Sequence, residues 1–133
     1  MIAALLALWW RRPWVVVGVT AAVLVADLEA EVLKAVVPRH RPFEHQLGPS
    51  LKTHSFPSGH SATAFAGATM LAHYAPRYRA AWFTLAVLVA FSRLYNGVHY
   101  PTDVVVGSLL GAATALLLLT AARRRSRRSQ QAG

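Results

Sequence analysis

The stretch "SRLYNGVHYPTD" (92–103) separates two runs suited to an apolar solvent, "AAWFTLAVLVAF" (80–91) and "VVVGSLLGAATALLLLTAA" (104–122). Within twelve residues it places Arg93, His99 and Asp103 at the junction of two hydrophobic segments. Ionisable groups at such a place are costly, about 2.5–3.5 kcal/mol for an aspartate at the centre of a bilayer, and call for a partner or a function.

Working outward, the composition fixes the class. The 133 residues are 55% hydrophobic and only 14% charged, and the apolar residues fall in blocks rather than in a 3.6-residue stripe. Four blocks approach the roughly 20 residues that cross a bilayer core: about 14–37, 57–75, 79–95 and 102–122. The expected fold is all-α, a polytopic transmembrane bundle of four full helices plus an N-terminal half-helix. Residues 1–122 form a single membrane-embedded domain, and 123–133 a basic cytoplasmic tail ending in the unstructured "SQQAG". The opening "MIAALLALWWRR" carries its arginines after the apolar run, the reverse of a secretory signal. It reads as the last half of a membrane helix or an interfacial anchor, with Trp9, Trp10 and Trp14 at headgroup level.

The chain has no cysteine, which excludes disulfides and thiolate metal sites. The net charge of +9 does not point to nucleic acid, because the basic residues cluster where helices leave the membrane. The positive-inside rule puts Arg11/Arg12, Arg77/Arg79 and Arg123–Arg128 in the cytoplasm, all on one side of a four-helix path. Lys34, Arg39, Arg41, Lys52 and Arg93 then share the other face, against the rule. Ordinary headgroup contacts account for one or two of them; a basic pocket for an anionic ligand accounts for all five.

Three polar patches supply that pocket. In "EVLKAVVPRHRPF", Lys34 lies near the end of the first helix, Pro38 stops it, and Arg41 follows. Asp27, Glu31 and Lys34 share a helix face, with pairing inside the bundle as the expected role of the two acids. In "PSGHS" (57–61), Ser58 is a good N-cap and Gly59 admits an anion close to the free N–H groups of a helix start. His60 lies beside them in the first turn. In the third patch Arg93 offers a planar fork to phosphate oxygens. Pro101 suits the first turn of the last helix. His99 and Asp103 are close enough for the carboxylate to reach an imidazole nitrogen, the orienting device of nucleophilic catalysis.

Lys34-x6-Arg41-Pro42, Pro57-Ser58-Gly59-His60 and Ser92-Arg93-x5-His99-x3-Asp103 together resemble the three-part signature of the type 2 phosphatidic acid phosphatase superfamily, with eleven fixed positions in order over residues 34–103. The resemblance implies a membrane lipid phosphatase that needs no metal or other cofactor. It casts His99 as the nucleophile that becomes a phosphohistidine, Asp103 as its orienter and His60 as the general acid. Lys34, Arg41, Ser58, Gly59 and Arg93 would hold the phosphate oxygens. Members of that family usually have six helices, so residues 1–10 read as the surviving half of the second of them. The expected partner is a lipid phosphate in a bacterial inner membrane, met on the extracytoplasmic face. A polyprenyl diphosphate fits that face best, followed by phosphatidic acid and phosphatidylglycerol phosphate.

The same phosphohistidine could pass its phosphoryl group to an acceptor other than water, so a lipid phosphotransferase stays open. A vanadate-dependent haloperoxidase shares the anion pocket but is soluble. Gly107-x3-Gly111 reads as a small-residue packing face, with a homo-oligomer joined through it left open. His40, His45 and His54 belong to the polar loop 38–56, which is long enough for a lid or an interfacial helix. His73 falls at the far end of its helix.

Overall fold

A computed structural model describes residues 12–42 and 54–131 of the chain. The half-helix expected over 1–10, the lid expected in the central loop, Lys52 and His45 lie outside the described residues.

The described residues are all-helical: α1 (Pro13–Val36), α2 (Gly59–Tyr74), a 3₁₀ turn (Pro76–Tyr78), α3 (Arg79–Tyr95) and α4 (Pro101–Gln131). Three of the four helix starts have a local cause. Pro13 and Pro101 occupy first-turn positions, where a missing N–H costs nothing. Ser58 caps α2, its hydroxyl accepting from the Ser61 N–H at 3.4 Å. Gly97 closes the turn after α3 at φ 64°, a left-handed conformation that glycine adopts without strain, and its N–H bonds the Leu94 carbonyl at 3.0 Å.

The sequence and structure part company at α4. Of the stretch expected to be unstructured, residues 129–131 continue α4 as helix to Gln131, every described side chain from Ala121 onward exposed. Arginine is a good helix former, and no proline or glycine interrupts the run before the end of the helix.

Helix α2 is central and packs against α1, α3 and α4. Its neighbours approach closely because the interior is made of small residues: Ala22, Ala26 and Ala30 of α1 against Ala62, Ala66 and Met70 of α2 and Ala115 and Leu119 of α4. A Cβ on Gly107 would run into the Ser58 carbonyl, and one on Gly111 into that of Ala62. The Gly107-x3-Gly111 face is therefore filled within the chain, by α2. The large apolar side chains point the other way. Leu24, Leu28, Val32 and Val36 form an exposed stripe on α1, and Leu85, Leu88 and Phe91 do so on α3. Small residues inside and large ones outside is the distribution that lipid, not water, favours.

By length and composition α4 is the one helix among the described residues able to cross a membrane. Helix α1 has 24 residues but carries Asp27, Glu29, Glu31 and Lys34, while α2 and α3 have 16 and 17. The fold is thus helical as expected, with four helices at nearly the expected boundaries except for the longer end of α4, but a count of four full spans is not met by length and hydropathy alone.

Candidate active site

The end of α1, the start of α2, the end of α3 and the start of α4 meet at one end of the bundle, and the three sequence patches meet there. The α3–α4 turn is pinned to the α1–α2 connection by Arg41, which is 5% exposed and donates to the Val98 carbonyl at 2.8 Å and the His54 carbonyl at 3.4 Å. The start of α2 is pinned to α4 by the Ser58 N–H, which donates to the Asp103 carbonyl at 3.0 Å.

His99 is buried in the α3–α4 turn. Its Nδ1 lies 2.7 Å from the Ser55 carbonyl, which can only accept, so Nδ1 carries the proton and Nε2 keeps its lone pair. That lone pair lies 3.4 Å from the Arg41 guanidinium. Burial first, then the positive charge of Arg41, holds the His99 imidazole down to about 4, so the ring is neutral at ordinary pH. A neutral, oriented imidazole beside a buried guanidinium is an arrangement able to serve as a nucleophile next to a group that binds anions.

Asp103 is fully buried but does not reach His99: its Oδ2 stands 3.8 Å from Nδ1, beyond hydrogen-bond range. The carboxylate is taken elsewhere. Oδ2 accepts the Tyr100 N–H at 2.9 Å, the return arm of a capping box at the start of α4. Oδ1 accepts from Arg39 at 2.8 Å. Arg39 also donates to Thr102 Oγ1 at 2.7 Å and lies 4.2 Å over the Tyr100 ring. The orienting contact expected from Asp103 is supplied in this structure by the Ser55 backbone, because helix capping and Arg39 already hold both carboxylate oxygens.

Around the start of α2 the expected anion site takes shape. The Ser58 hydroxyl faces into the helix, accepting from Ser61 N and, at 2.9 Å, from the Ser61 hydroxyl. Ser58 thus builds the helix start, and the Gly59 and His60 amides of the first turn are the ones placed to meet an anion. Lys34 Nζ lies 3.4 Å from the point where a Gly59 Cβ would stand, and 2.6 Å from Glu31 Oε1. A cavity of about 140 Å³ opens here, lined by Asp27, Glu31, Lys34, Gly59, His60 and Thr63. Arg93 is half-buried at the end of α3, and its charge, with those of Lys34, Asp27 and Arg41, bears on His60.

The structure thus gathers Lys34, Arg41, Ser58, Gly59, His60, Arg93, His99 and Asp103 at one end. Sequence reasoning gave Arg39 only a general place in a basic pocket and gave Ser55 none. Arg39 carried a signal, being one of five basic residues on the face where they are unexpected; Ser55 acts through its backbone and carried none. His73 lies at the opposite end of α2, 3.3 Å from Arg123.

Comparison with known proteins identifies the family of the chain. The PAP2 superfamily matches residues 12–127. The chain is 34% identical to an undecaprenyl-diphosphatase of Sulfolobus acidocaldarius, over 84% of this chain and 57% of that protein. It is 41% identical to a decaprenylphosphoryl-5-phosphoribose phosphatase of Mycolicibacterium smegmatis, over 73% and 53%. The chain therefore spans about half the length of the curated relatives it matches. Among solved structures, Aquifex aeolicus LpxE superposes with a TM-score of 0.77 and 32% identity, covering 90% of this chain and 75% of that one. The transmembrane PAP2-type phosphatidylglycerolphosphate phosphatase of Bacillus subtilis superposes with a TM-score of 0.76 and 28% identity, covering 89% and 64%. Motifs, site geometry and fold lead to one assignment: this chain belongs to the PAP2 superfamily.

Proposed function

We propose that the chain is a membrane lipid phosphate phosphatase that works without a metal, through a phosphohistidine on His99. The observation that carries this reading is the His99 imidazole, its proton on Nδ1 and its Nε2 lone pair beside Arg41. Nε2 attacks the phosphorus as the bond to the lipid oxygen breaks, and His60 gives its proton to that oxygen. Water then attacks the phosphohistidine, His60 takes a proton from it, and inorganic phosphate leaves. Lys34, Arg41, Arg93 and the first-turn amides of α2 neutralise the equatorial oxygens, which is most of what phosphoryl transfer asks of a protein. The general acid contributes roughly 10²–10⁴-fold.

The site faces the extracytoplasmic side in this reading. Arg77, Arg79 and the arginines of 123–128 stand at the opposite end of the helices and favour the cytoplasm. With no native cysteine, single cysteines placed at Val37 and Ser126 can be labelled with an impermeant maleimide on intact cells, and only the first should react.

The deciding experiment measures phosphate release in detergent from a polyprenyl diphosphate, phosphatidic acid and phosphatidylglycerol phosphate, with and without a chelator. Release that persists in chelator and vanishes in His99→Ala is expected. Equal rates in His99→Ala and the unaltered chain would sink the proposal.

A further inference from the structure

The cavity beside His60 is walled by two carboxylates that the reaction above does not use. Asp27 and Glu31 stand one turn apart on α1, and both line it. Glu31 is partly neutralised by Lys34 at 2.6 Å. Asp27 forms no salt bridge among the described residues, and its Oδ1 lies 3.7 Å from the point where a Gly59 Cβ would stand. The Thr63 hydroxyl, also in the wall, turns back on the carbonyls of Gly59 and His60 at 3.1 and 3.2 Å, so it does not offset them.

The phosphatase reading gives this wall a place relative to the chemistry. His99 attacks in line, opposite the leaving oxygen, and His60 protonates that oxygen. In that reading Lys34 and Gly59 face the phosphoryl oxygens, and Asp27 and Glu31, which share the cavity with His60, face the first atoms of the leaving group. Carboxylates accept hydrogen bonds and repel negative charge. When the phosphoryl oxygens draw Lys34, Glu31 loses part of its counter-charge and the wall becomes more negative.

We infer that Asp27 and Glu31 are specificity-determining residues that favour lipid phosphates with an uncharged alcohol as leaving group and disfavour diphosphates, whose leaving group is an anionic phosphate. The inference rests on the phosphatase reading and reverses the ranking drawn from the sequence, which placed a polyprenyl diphosphate first. An alcohol released at this wall can donate its hydroxyl to Asp27. A phosphate released there has no donor to offer and meets like charge, which is discrimination by a repulsive element.

The test uses two lipids with identical tails, phosphatidic acid and diacylglycerol diphosphate, and the full chain in detergent. The readout is the ratio of kcat/KM for the monoester to that for the diphosphate, so intrinsic differences in leaving-group reactivity cancel between variants. Asp27→Asn should lower this ratio by about tenfold, Glu31→Gln should lower it in the same direction, and Asp27→Glu should leave it in place. Activity on phosphatidic acid in each variant reports that the chain is folded. A ratio that moves by less than about twofold in both neutral variants overturns the inference while leaving the phosphatase reading standing. Phosphate from neither lipid, with release from a polyprenyl diphosphate, overturns this inference alone; no release from any of these lipids or from phosphatidylglycerol phosphate overturns the phosphatase reading with it.

Discussion

His99 and Ser55 are joined by a 2.7 Å contact from a ring Nδ1 to a backbone carbonyl, 44 residues apart in sequence. A backbone carbonyl cannot change protonation state and is not removed by changing its side chain. It therefore fixes the tautomer of His99 independently of Asp103. Asp103→Asn should keep the Nδ1–H tautomer, visible in the ¹⁵N shifts of the ring. Its effect on kcat should be about 10–100-fold, the value of one or two hydrogen bonds to a charged group. A switch to the Nε2–H tautomer in Asp103→Asn would contradict this.

The environment of His99 also sets a pH dependence. Buried beside Arg41, the imidazole binds a proton only near pH 4, against about 6.5 in an unfolded chain. Its folded value is depressed, so between those limits the unfolded chain binds the proton first. Stability from this group is fully present above about pH 6.5 and is lost as pH falls toward 4. Titration of ¹⁵N-histidine in micelles should find His99 neutral at pH 6. In His99→Gln the same fall in pH should cost less stability, measured by thermal unfolding in detergent.

These features divide by how they are written in the chain. Helix positions were legible because each boundary rests on a local residue: Pro13, the Ser58 cap, Gly97 and Pro101. The meeting of the three patches at one end of the bundle was legible because histidines and basic groups beside long apolar runs call for a common reason. The lack of a direct Asp103–His99 hydrogen bond has a physical cause. Spacing shows that a carboxylate can reach a ring, but not that the Tyr100 N–H and Arg39 compete for the same oxygens. Ser55 contributes only its carbonyl, which no residue type announces. The helical state of residues 129–131 was missed because short polar residues near a chain end suit both coil and helix, and no breaker decides between them before Gln131.

The Arg39–Asp103 pair gives a prediction about stability. Asp103 is fully buried, and Arg39, about one-third exposed, is its salt-bridge partner at 2.8 Å. Arg39→Ala leaves a buried charge uncompensated, which costs about 3 kcal/mol, the lower end of the range because solvent reaches Arg39. Arg39→Ala combined with Asp103→Asn should lose much less than the sum of the two single changes. Chemical unfolding of the four proteins of this cycle in one detergent measures the coupling; additive losses would show that the pair is not coupled.

The approach of α4 to α2 gives the last prediction. At Gly111 an added Cβ would run into the Ala62 carbonyl, and backbone on both sides leaves nothing flexible to yield. Gly111→Ala must push the helices apart, at a cost of about 1–3 kcal/mol for overpacking. Gly107→Ala meets the Ser58 carbonyl in the same way, but Ser58 caps α2 beside His60. It should therefore lower phosphatase activity as well as stability, whereas Gly111→Ala, four residues further from the site, should act mainly on stability. Gly67→Ala is the control: its Cβ would sit 3.6 Å from Val23 Cγ2, an ordinary contact. Alanine is better than glycine inside a helix by about 1 kcal/mol, so this change should leave the melting temperature unchanged or raise it. If all three glycine variants melted alike, close backbone approach would not be what holds α4 against α2.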